Sequence, residues 1–272
     1  RRERRSCEYV DRISVERGLP CLRVRTHVEN TCMDHRFRVL FPTGIDAATS
    51  FAETPFAVVD RDIDIPPDSA SWHERINPEK AFTTFFGVQE PSGGLAVLAP
   101  FGLHEYEVLQ TPKHTLALTL FRATWKTVGT PGEWDGELLG PLDFEYLLFP
   151  FTGCFDPVRA LRLVQEAQTG VRAHTASSLP KDDSFLRVSP GHVVVTALKP
   201  AEGDEGGIIR LWNPGPLEAR EEIALKARIC SASLCDLGEK PVAAIPLTLD
   251  GNIPVTVPPY GLATVAFVWS NE

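Results

Sequence analysis

The sequence lacks long apolar runs and an excess of positive charge. No stretch approaches the roughly 18 apolar residues that a membrane-spanning helix needs, and no apolar segment follows the basic run at residues 1–5 to make a secretory signal. The net charge is -9 and the sequence pI is about 5.3, whereas phosphate binding needs a concentrated cationic face. We therefore expect a soluble globular chain that binds neither membranes nor nucleic acid.

The chain also lacks a cysteine framework, because its six cysteines are scattered over 272 residues. The closest pair, Cys230 and Cys235, has a spacing that fits neither C-x-x-C redox chemistry nor the usual zinc-ligand patterns. Cysteines scattered in this way favour a reducing setting, and we expect a cytoplasmic protein.

Signatures of catalysis are missing as well. There is no H-E-x-x-H, no His-x-His or His-x-Asp pair, no G-x-S-x-G elbow and no phosphate-binding glycine motif. The seven histidines follow no ligand spacing, so no metal site is predicted. They are His27, His35, His73, His104, His114, His174 and His192.

Three aspartates, Asp60, Asp62 and Asp64, have the alternate spacing of a calcium loop. Such a loop needs glycine at its sixth position and glutamate at its twelfth, where this chain has Ile65 and Ser71. The pattern therefore predicts a solvated strand face, with weak cation binding as the alternative.

Glycosidases use two carboxylates at a fixed separation. The pairs Glu105 with Glu107 and Asp135 with Glu137 have suitable chemistry, but 36 acidic residues make such pairs unavoidable by chance. Surface charge is the simpler interpretation. Aromatic side chains in or near loops could instead stack on sugar rings or serve local packing. They are Trp72, Trp125, Trp134 and Tyr106.

Strand patterns dominate the first half. Residues 22–29 and 36–41 alternate apolar and polar side chains with a period of two, which predicts two neighbouring antiparallel strands. Residues 94–98 and 116–121 are apolar on both faces, as in a layered sandwich. The stretch from Trp125 to Leu142 is rich in glycine and proline and predicts a long surface loop, with a strand at 145–151 after it.

One helix is predicted, beginning at Asp156-Pro157 and running to about Gln168. Residues 174–184 show no periodicity and indicate a linker between a large β domain (1–173) and a small antiparallel β-sandwich (185–272) with short strands at turn-bounded intervals. The predicted fold class is all-β.

Several segments, in order along the chain, resemble the C-terminal region of family 38 α-mannosidases. The first four lie in the predicted large domain, and the last two lie near the start of the predicted small domain. They are Asp34–Thr43, Gly94–Leu98, Gly102–Val108, Leu116–Arg122, Ala197–Glu202 and Arg210–Pro214.

This resemblance implies a galactose-mutarotase-like supersandwich, lacking its first strands, followed by the small sandwich. It also implies a whole enzyme that removes terminal α-mannosides with a carboxylate nucleophile and zinc, held in an N-terminal barrel whose motifs are absent here. This chain alone is therefore expected to be inactive, to need no cofactor of its own, and to have the catalytic domain of the same polypeptide as its partner.

Some family members extend an arginine-rich loop to the active-site rim, but residues 109–114 contain no arginine. Candidates for rim contacts with a mannoside are His104, Glu105, Tyr106, Lys113, His114 and Trp134. The alternatives are a freestanding carbohydrate-binding module, an assembly module that pairs subunits into a homo-oligomer through exposed sheet edges, or an epimerase or lyase with a paired His and Glu in a concave sheet.

Overall fold

The computed structural model describes residues 6–74, 76–126, 129, 132–171, 175, 184–202 and 206–270. Antiparallel strands dominate this part of the chain, with one α-helix and two short 3-10 helices, Pro67–Ser71 and Trp134–Glu137. The predicted all-β class is confirmed. None of the described helices is long and apolar enough to cross a membrane.

One compact unit holds the chain up to Asp156 together with Leu163–Thr169. Its strands are β1 (Glu8–Val15), β2 (Leu22–Asn30), β3 (His35–Pro42), β4 (Thr49–Thr54), β5 (Ala57–Asp62), β6 (Lys80–Ala81), β7 (Phe85–Glu90), β8 (Gly93–Leu98), β9 (Glu105–Leu109), β10 (Thr115–Ala123) and β11 (Gly140–Thr152). They form a seven-stranded sheet in the order β1-β2-β11-β8-β7-β4-β5 and a four-stranded sheet in the order β3-β10-β9-β6.

The alternation along β2 determines its buried face. Val24, Thr26 and Val28 are buried, and the valines join the core between the two sheets. The prediction that β2 and β3 are neighbouring antiparallel strands is wrong, because β2 pairs with β1 and β11 whereas β3 pairs with β10 in the other sheet. The connection contains Asp34 at φ 51, in the left-handed region, where the chain passes from one sheet to the other.

Strand β10 is buried at every position except Arg122, as its apolar composition predicted. A register shift between Thr119 and Phe121 disrupts the alternation, so that Leu120 and Phe121 both belong to the core. Tyr106 from β9 is also in this core, stacked on Phe86 with ring centroids 4.4 Å apart.

The predicted helix is present as α1 (Pro157–Thr169). Buried residues at 160, 161, 163 and 164 recur at helical spacing, which gives the helix one apolar face. The strand before it, β11, begins five residues earlier than the predicted start at Glu145, because Gly140–Phe144 pair with β2.

The second unit holds Pro157–Arg162 and the chain from Gly170. Its strands are β12 (Leu186–Ser189), β13 (Val194–Pro200), β14 (Gly207–Trp212), β15 (Ala219–Leu225), β16 (Ile229–Cys235), β17 (Pro241–Ile245), β18 (Ile253–Val257) and β19 (Leu262–Trp269). They form a three-stranded sheet, β12-β15-β18, and a five-stranded sheet, β13-β14-β19-β16-β17. The predicted linker at 174–184 lies almost wholly outside the described residues.

Candidate functional site

The outer face of the four-stranded sheet is charged because its strands alternate. Phe37 and Val39 point to the core from β3, so the residues on either side of them point outward. The same alternation on β9 buries Tyr106 and turns its two glutamate neighbours outward. The outward set is Arg36, Arg38, Glu105, Glu107 and Arg122.

These charges neutralise one another. The Arg122 Nη2 donates to Glu105 Oε2 at 2.7 Å, and Arg38 is hydrogen-bonded to Glu107. Arg36 bonds Glu79 and lowers the pKa of that carboxyl below its ordinary value. The glutamates considered as a catalytic pair are thus engaged by arginines on a sheet surface.

A groove of about 580 Å³ lies at the end of this face. Arg61 is fixed in its wall, because Nη1 donates to the Ala81 carbonyl at 2.8 Å and to the Tyr106 hydroxyl at 3.2 Å. Apolar and polar residues share the lining. They are Ser50, Arg61, Asp62, Ile63, Asp64, Ile65, Pro66, Ile76, Pro78, Lys80, Glu107, Val108 and Gln110.

The chemistry of the groove suits a hydroxylated, uncharged ligand better than an ion. Asp62 and Asp64 are exposed acceptors, and Lys80 and Arg61 are donors. Because both charge signs lie in one groove, neither a simple anion nor a simple cation is strongly favoured. Its volume lies within the range of small-molecule sites.

Aspartates of the calcium-like pattern, Asp60, Asp62 and Asp64, are exposed, and Ile63 between them is buried. Within the described ranges, no group of three or more His, Cys, Asp or Glu residues could hold a metal ion.

The candidate rim residues are not in one place. Lys113 is exposed at φ 59 in the turn before β10, and His114 donates from Nε2 to the Ala47 carbonyl at 2.9 Å. Trp134 lies beyond the other end of β10, a strand whose nine residues span about 26 Å. No monosaccharide can touch both ends.

The candidates on and before β9 also differ in exposure. His104 is exposed and Glu105 is half-buried. Tyr106 is 0% exposed, and its hydroxyl bonds Ser50 at 3.1 Å. A ligand in solvent cannot reach the ring of Tyr106, and the hydroxyl of this residue contacts Arg61 and Ser50, both of which line the groove.

Trp134 forms the most exposed aromatic surface near the predicted loop. It is 69% exposed and stacks on Trp125 with centroids 6.1 Å apart and planes 24° from parallel. Asn30 supports this segment by donating from Nδ2 to the carbonyls of Glu137 and Leu138, each at 2.9 Å. Residues 127, 128, 130 and 131 of the predicted loop lie outside the described part.

Sequence reasoning missed two residues that shape these surfaces. Arg61 stands between Asp60 and Asp62 in strand β5. Because side chains alternate along a strand, its position predicts that it points to the opposite face from these two aspartates. The sequence presents Glu137 only as a possible member of a carboxylate pair with Asp135. In the structure its side chain is 0% exposed, and its Oε2 accepts a hydrogen bond from the Asp34 amide at 2.9 Å. No pattern in the local sequence predicts this hydrogen bond.

Paired histidine and glutamate side chains, which an epimerase or lyase would need, occur at two positions in the described residues. His27 Nε2 is 3.2 Å from Glu29 Oε1, and both side chains are solvent-accessible near the sheet edge. His192 Nδ1 is 3.5 Å from Glu221 Oε1, and Glu221 also accepts the amide of Gly191. Neither pair lies in the groove.

Comparisons with known proteins agree on the fold. Residues 192–265 match the family described as "Glycosyl hydrolases family 38 C-terminal beta sandwich domain". A protein of Halalkalibacterium halodurans named "Putative mannosylglycerate hydrolase" is 26% identical over 232 residues, which are 78% of this chain and 24% of that protein.

Two solved structures from Enterococcus faecalis superimpose well. An α-mannosidase of strain V583 has a TM-score of 0.78 and 24% identity, with 97% of this chain and 29% of that one covered. A protein in glycosyl hydrolase family 38 has a TM-score of 0.73 and 24% identity, with 94% and 29% covered. The chain thus spans under a third of each relative. Residues 192–265 are thus similar to the C-terminal β-sandwich domain of glycosyl hydrolase family 38, and the chain as a whole shares the fold of part of the two Enterococcus structures.

Proposed function

We propose that this chain is the non-catalytic C-terminal portion of an α-mannosidase whose whole polypeptide hydrolyses terminal α-mannosides. The match of residues 192–265 to a C-terminal domain of family 38 carries the proposal. The short coverage of the Halalkalibacterium relative, 24% of its length, supports it, because most of such a protein lies outside the matched region. In this role the chain supports the catalytic domain, which would hold the zinc ion.

Trp134 is the side chain that we propose as the main sugar contact at the rim. A pyranose ring has one face of C–H groups, and an exposed indole face is the surface on which such a ring stacks. Trp125 supports the indole of Trp134 from one side, which leaves the other side for a ligand. His104, Lys113 and His114 remain secondary candidates, and Glu105 is held by Arg122.

A second function is favoured by the mixed groove beside Arg61. Its donors, acceptors and apolar walls all come from this chain, so a mannoside could bind without any catalytic domain. The chain would then be a carbohydrate-binding module. We also propose a cytoplasmic setting, supported by six cysteines that form no disulfide bond in the described structure.

The experiment supplies the isolated chain with zinc and p-nitrophenyl α-mannoside, and titrates mannose by calorimetry. We expect no turnover. Nitrophenol release at the rate of a whole enzyme would refute the first proposal. Binding of mannose without turnover would favour the module.

Two variants and one control variant locate any sugar contact. Trp134→Ala should abolish stacking on the rim, and Trp72→Ala is the matched control, because Trp72 is also exposed, at 47%. Equal loss of binding in both variants would contradict a specific role for Trp134. Loss in Asp62→Asn alone would place the sugar in the groove instead.

A further inference from the structure

Glu137 is buried in a segment that is mostly exposed. The segment, residues 132–138, includes the exposed Trp134 and ends just after the second 3-10 helix. Glutamate is almost never fully buried unless it is paired, yet the Glu137 side chain is 0% exposed. Its Oε2 accepts the Asp34 amide at 2.9 Å, and its Oε1 has no hydrogen-bond partner among the described residues.

This arrangement costs stability that an apolar side chain of the same size would not cost. A buried carboxylate oxygen without a partner loses its hydration and gains no hydrogen bond in return. Most buried polar atoms in folded proteins have a partner, so an exception needs a physical explanation. Such exceptions are expected at functional positions, where geometry is favoured over local stability. The contacts of residues 132–138 indicate which geometry Glu137 serves.

Three contacts attach residues 132–138 to the strands of the first unit. Asn30, at the end of β2, donates from Nδ2 to the carbonyls of Glu137 and Leu138. The amide of Thr124, directly after β10, donates to the Gly136 carbonyl at 2.9 Å. A Cβ at Gly136 would lie 2.4 Å from the Thr124 carbonyl oxygen, so the backbones are tightly packed there. The carboxylate bond to the connection between β2 and β3 is the third contact, and it is the one made by a side chain of the segment itself.

The attachment also determines where the two indoles lie. A Cβ at Gly132 would lie 2.5 Å from Cε3 of Trp125, so the backbone of Gly132 packs directly on that indole. Trp134, two residues further along the segment, stacks on the same indole. Movement of residues 132–138 away from β10 would therefore separate Trp134 from Trp125.

We propose that Glu137 is the positioning residue of Trp134. Its hydrogen bond with the Asp34 amide holds residues 132–138 in place, so that the indole of Trp134 keeps the orientation in which a sugar ring would stack on it. An aromatic surface that is already oriented loses less conformational entropy when a ligand binds. The inference rests on the proposed function in naming sugar as the ligand, whereas the orientation of the indole depends on this chain alone.

Two substitutions separate the hydrogen bond from the packing. Glu137→Gln keeps an oxygen acceptor at the same reach, whereas Glu137→Met fills similar space with a sulfur that accepts hydrogen bonds weakly. Hydrogen exchange measured residue by residue follows the amides of Asp34, Thr124 and Gly136. In Glu137→Met these amides should exchange about tenfold faster or more. In Glu137→Gln they should exchange as in the parent, and the amides of β9 should be unchanged in both variants.

Mannose affinity, measured by calorimetry, is the second readout. Glu137→Met should bind mannose about fivefold more weakly than the parent or worse, and Glu137→Gln should bind it equally well. Glu133→Met is the matched control, because Glu133 is an exposed acid of the same segment whose side chain makes no capping hydrogen bond. It should change neither readout. If the parent binds no mannose, the sugar contact is refuted, and the exchange rates still decide whether Glu137 positions the segment.

The parent protein provides a test that does not depend on the folding of any variant. Asp34 is exposed, so its amide should be protected from exchange through the hydrogen bond to Glu137. An unprotected Asp34 amide would overturn the proposal. The same conclusion would follow if Glu137→Met exchanged like the parent, or if Glu137→Gln exchanged as fast as Glu137→Met. Equally faster exchange of the β9 amides in Glu137→Met would show a general structural role instead.

Discussion

Replacing Tyr106 by phenylalanine tests whether its hydroxyl stabilises the fold or contacts sugar. The ring is fully buried and stacked on Phe86, so Tyr106→Phe keeps the packing. It removes the hydrogen bonds to Ser50 at 3.1 Å and from Arg61 at 3.2 Å. Each is worth about 0.5–1.5 kcal/mol net, and Ser50 stays buried, so we expect a loss of about 1–2 kcal/mol in the free energy of unfolding.

Tyr146→Phe is the matched control. Tyr146 is also buried, at 1% exposure, but its hydroxyl has a longer contact, 3.4 Å to Thr26 Oγ1, so its loss should cost about 0.5 kcal/mol. Hydrogen exchange of the β9 and β10 amides at increasing urea concentration reports the unit that contains both residues. Equal destabilisation by the two variants would refute the reasoning, as would a loss of mannose affinity in Tyr106→Phe without destabilisation.

Two further changes test the interior of the first unit. Burial raises the pKa of Glu53 above its ordinary 4.5, against a hydrogen bond from Thr84 that lowers it, so the folded state favours the protonated form. This contribution to stability is fully present below about pH 4.5 and is lost as pH rises through the folded pKa. The melting temperature of Glu53→Gln relative to the parent should therefore increase from pH 4.5 to pH 8. A difference that stays constant over this range would contradict the prediction. Gly87→Ala in β7 would place a Cβ 2.5 Å from the Leu95 carbonyl oxygen and should destabilise by about 1–3 kcal/mol in urea unfolding, whereas Gly238→Ala, whose Cβ meets only Asp236 Oδ1 at 3.4 Å, should change stability little.

Period-two patterns predicted which side of a strand is buried, but not the strand with which it pairs. Val24 and Val28 point inward as predicted, because burial depends on each side chain's own position along the pleat. The pairing of β2 with β11 joins residues more than one hundred positions apart, and nothing local to residues 22–42 encodes it. The closeness of the two patterns along the chain therefore suggested neighbouring strands where the chain in fact changes sheets.

In the second unit, local patterns were also insufficient, because they did not predict every strand. The sequence predicts short strands at 193–197, 208–212, 222–227, 255–257 and 263–269, which overlap β13, β14, β15, β18 and β19, whereas β12, β16 and β17 were not predicted. β17 is exposed at four of its five positions although its residues are apolar, and the apolar residues of β16 are interrupted by Ser231 and Ser233. Backbone hydrogen bonds to neighbouring strands hold these segments in the extended conformation.

For the candidate site, the residue types were easier to predict than their arrangement. The alternation Glu105-Tyr106-Glu107-Val108 already indicates that Tyr106 faces inward, although its position close to a loop made it a candidate for sugar contact. The grouping of Arg61 with Lys80 and Gln110 depends on sheet edges that meet only in three dimensions.

The stacked pair of Trp125 and Trp134 gives the first unit an optical reporter of its own. Two indoles 6.1 Å apart couple electronically, so they should produce a near-ultraviolet circular dichroism band that isolated tryptophans lack. A ligand on the open face of Trp134 would change the polarity around that chromophore, whereas unfolding would separate the rings and abolish the band. One spectrum can therefore distinguish occupancy of the rim from loss of structure.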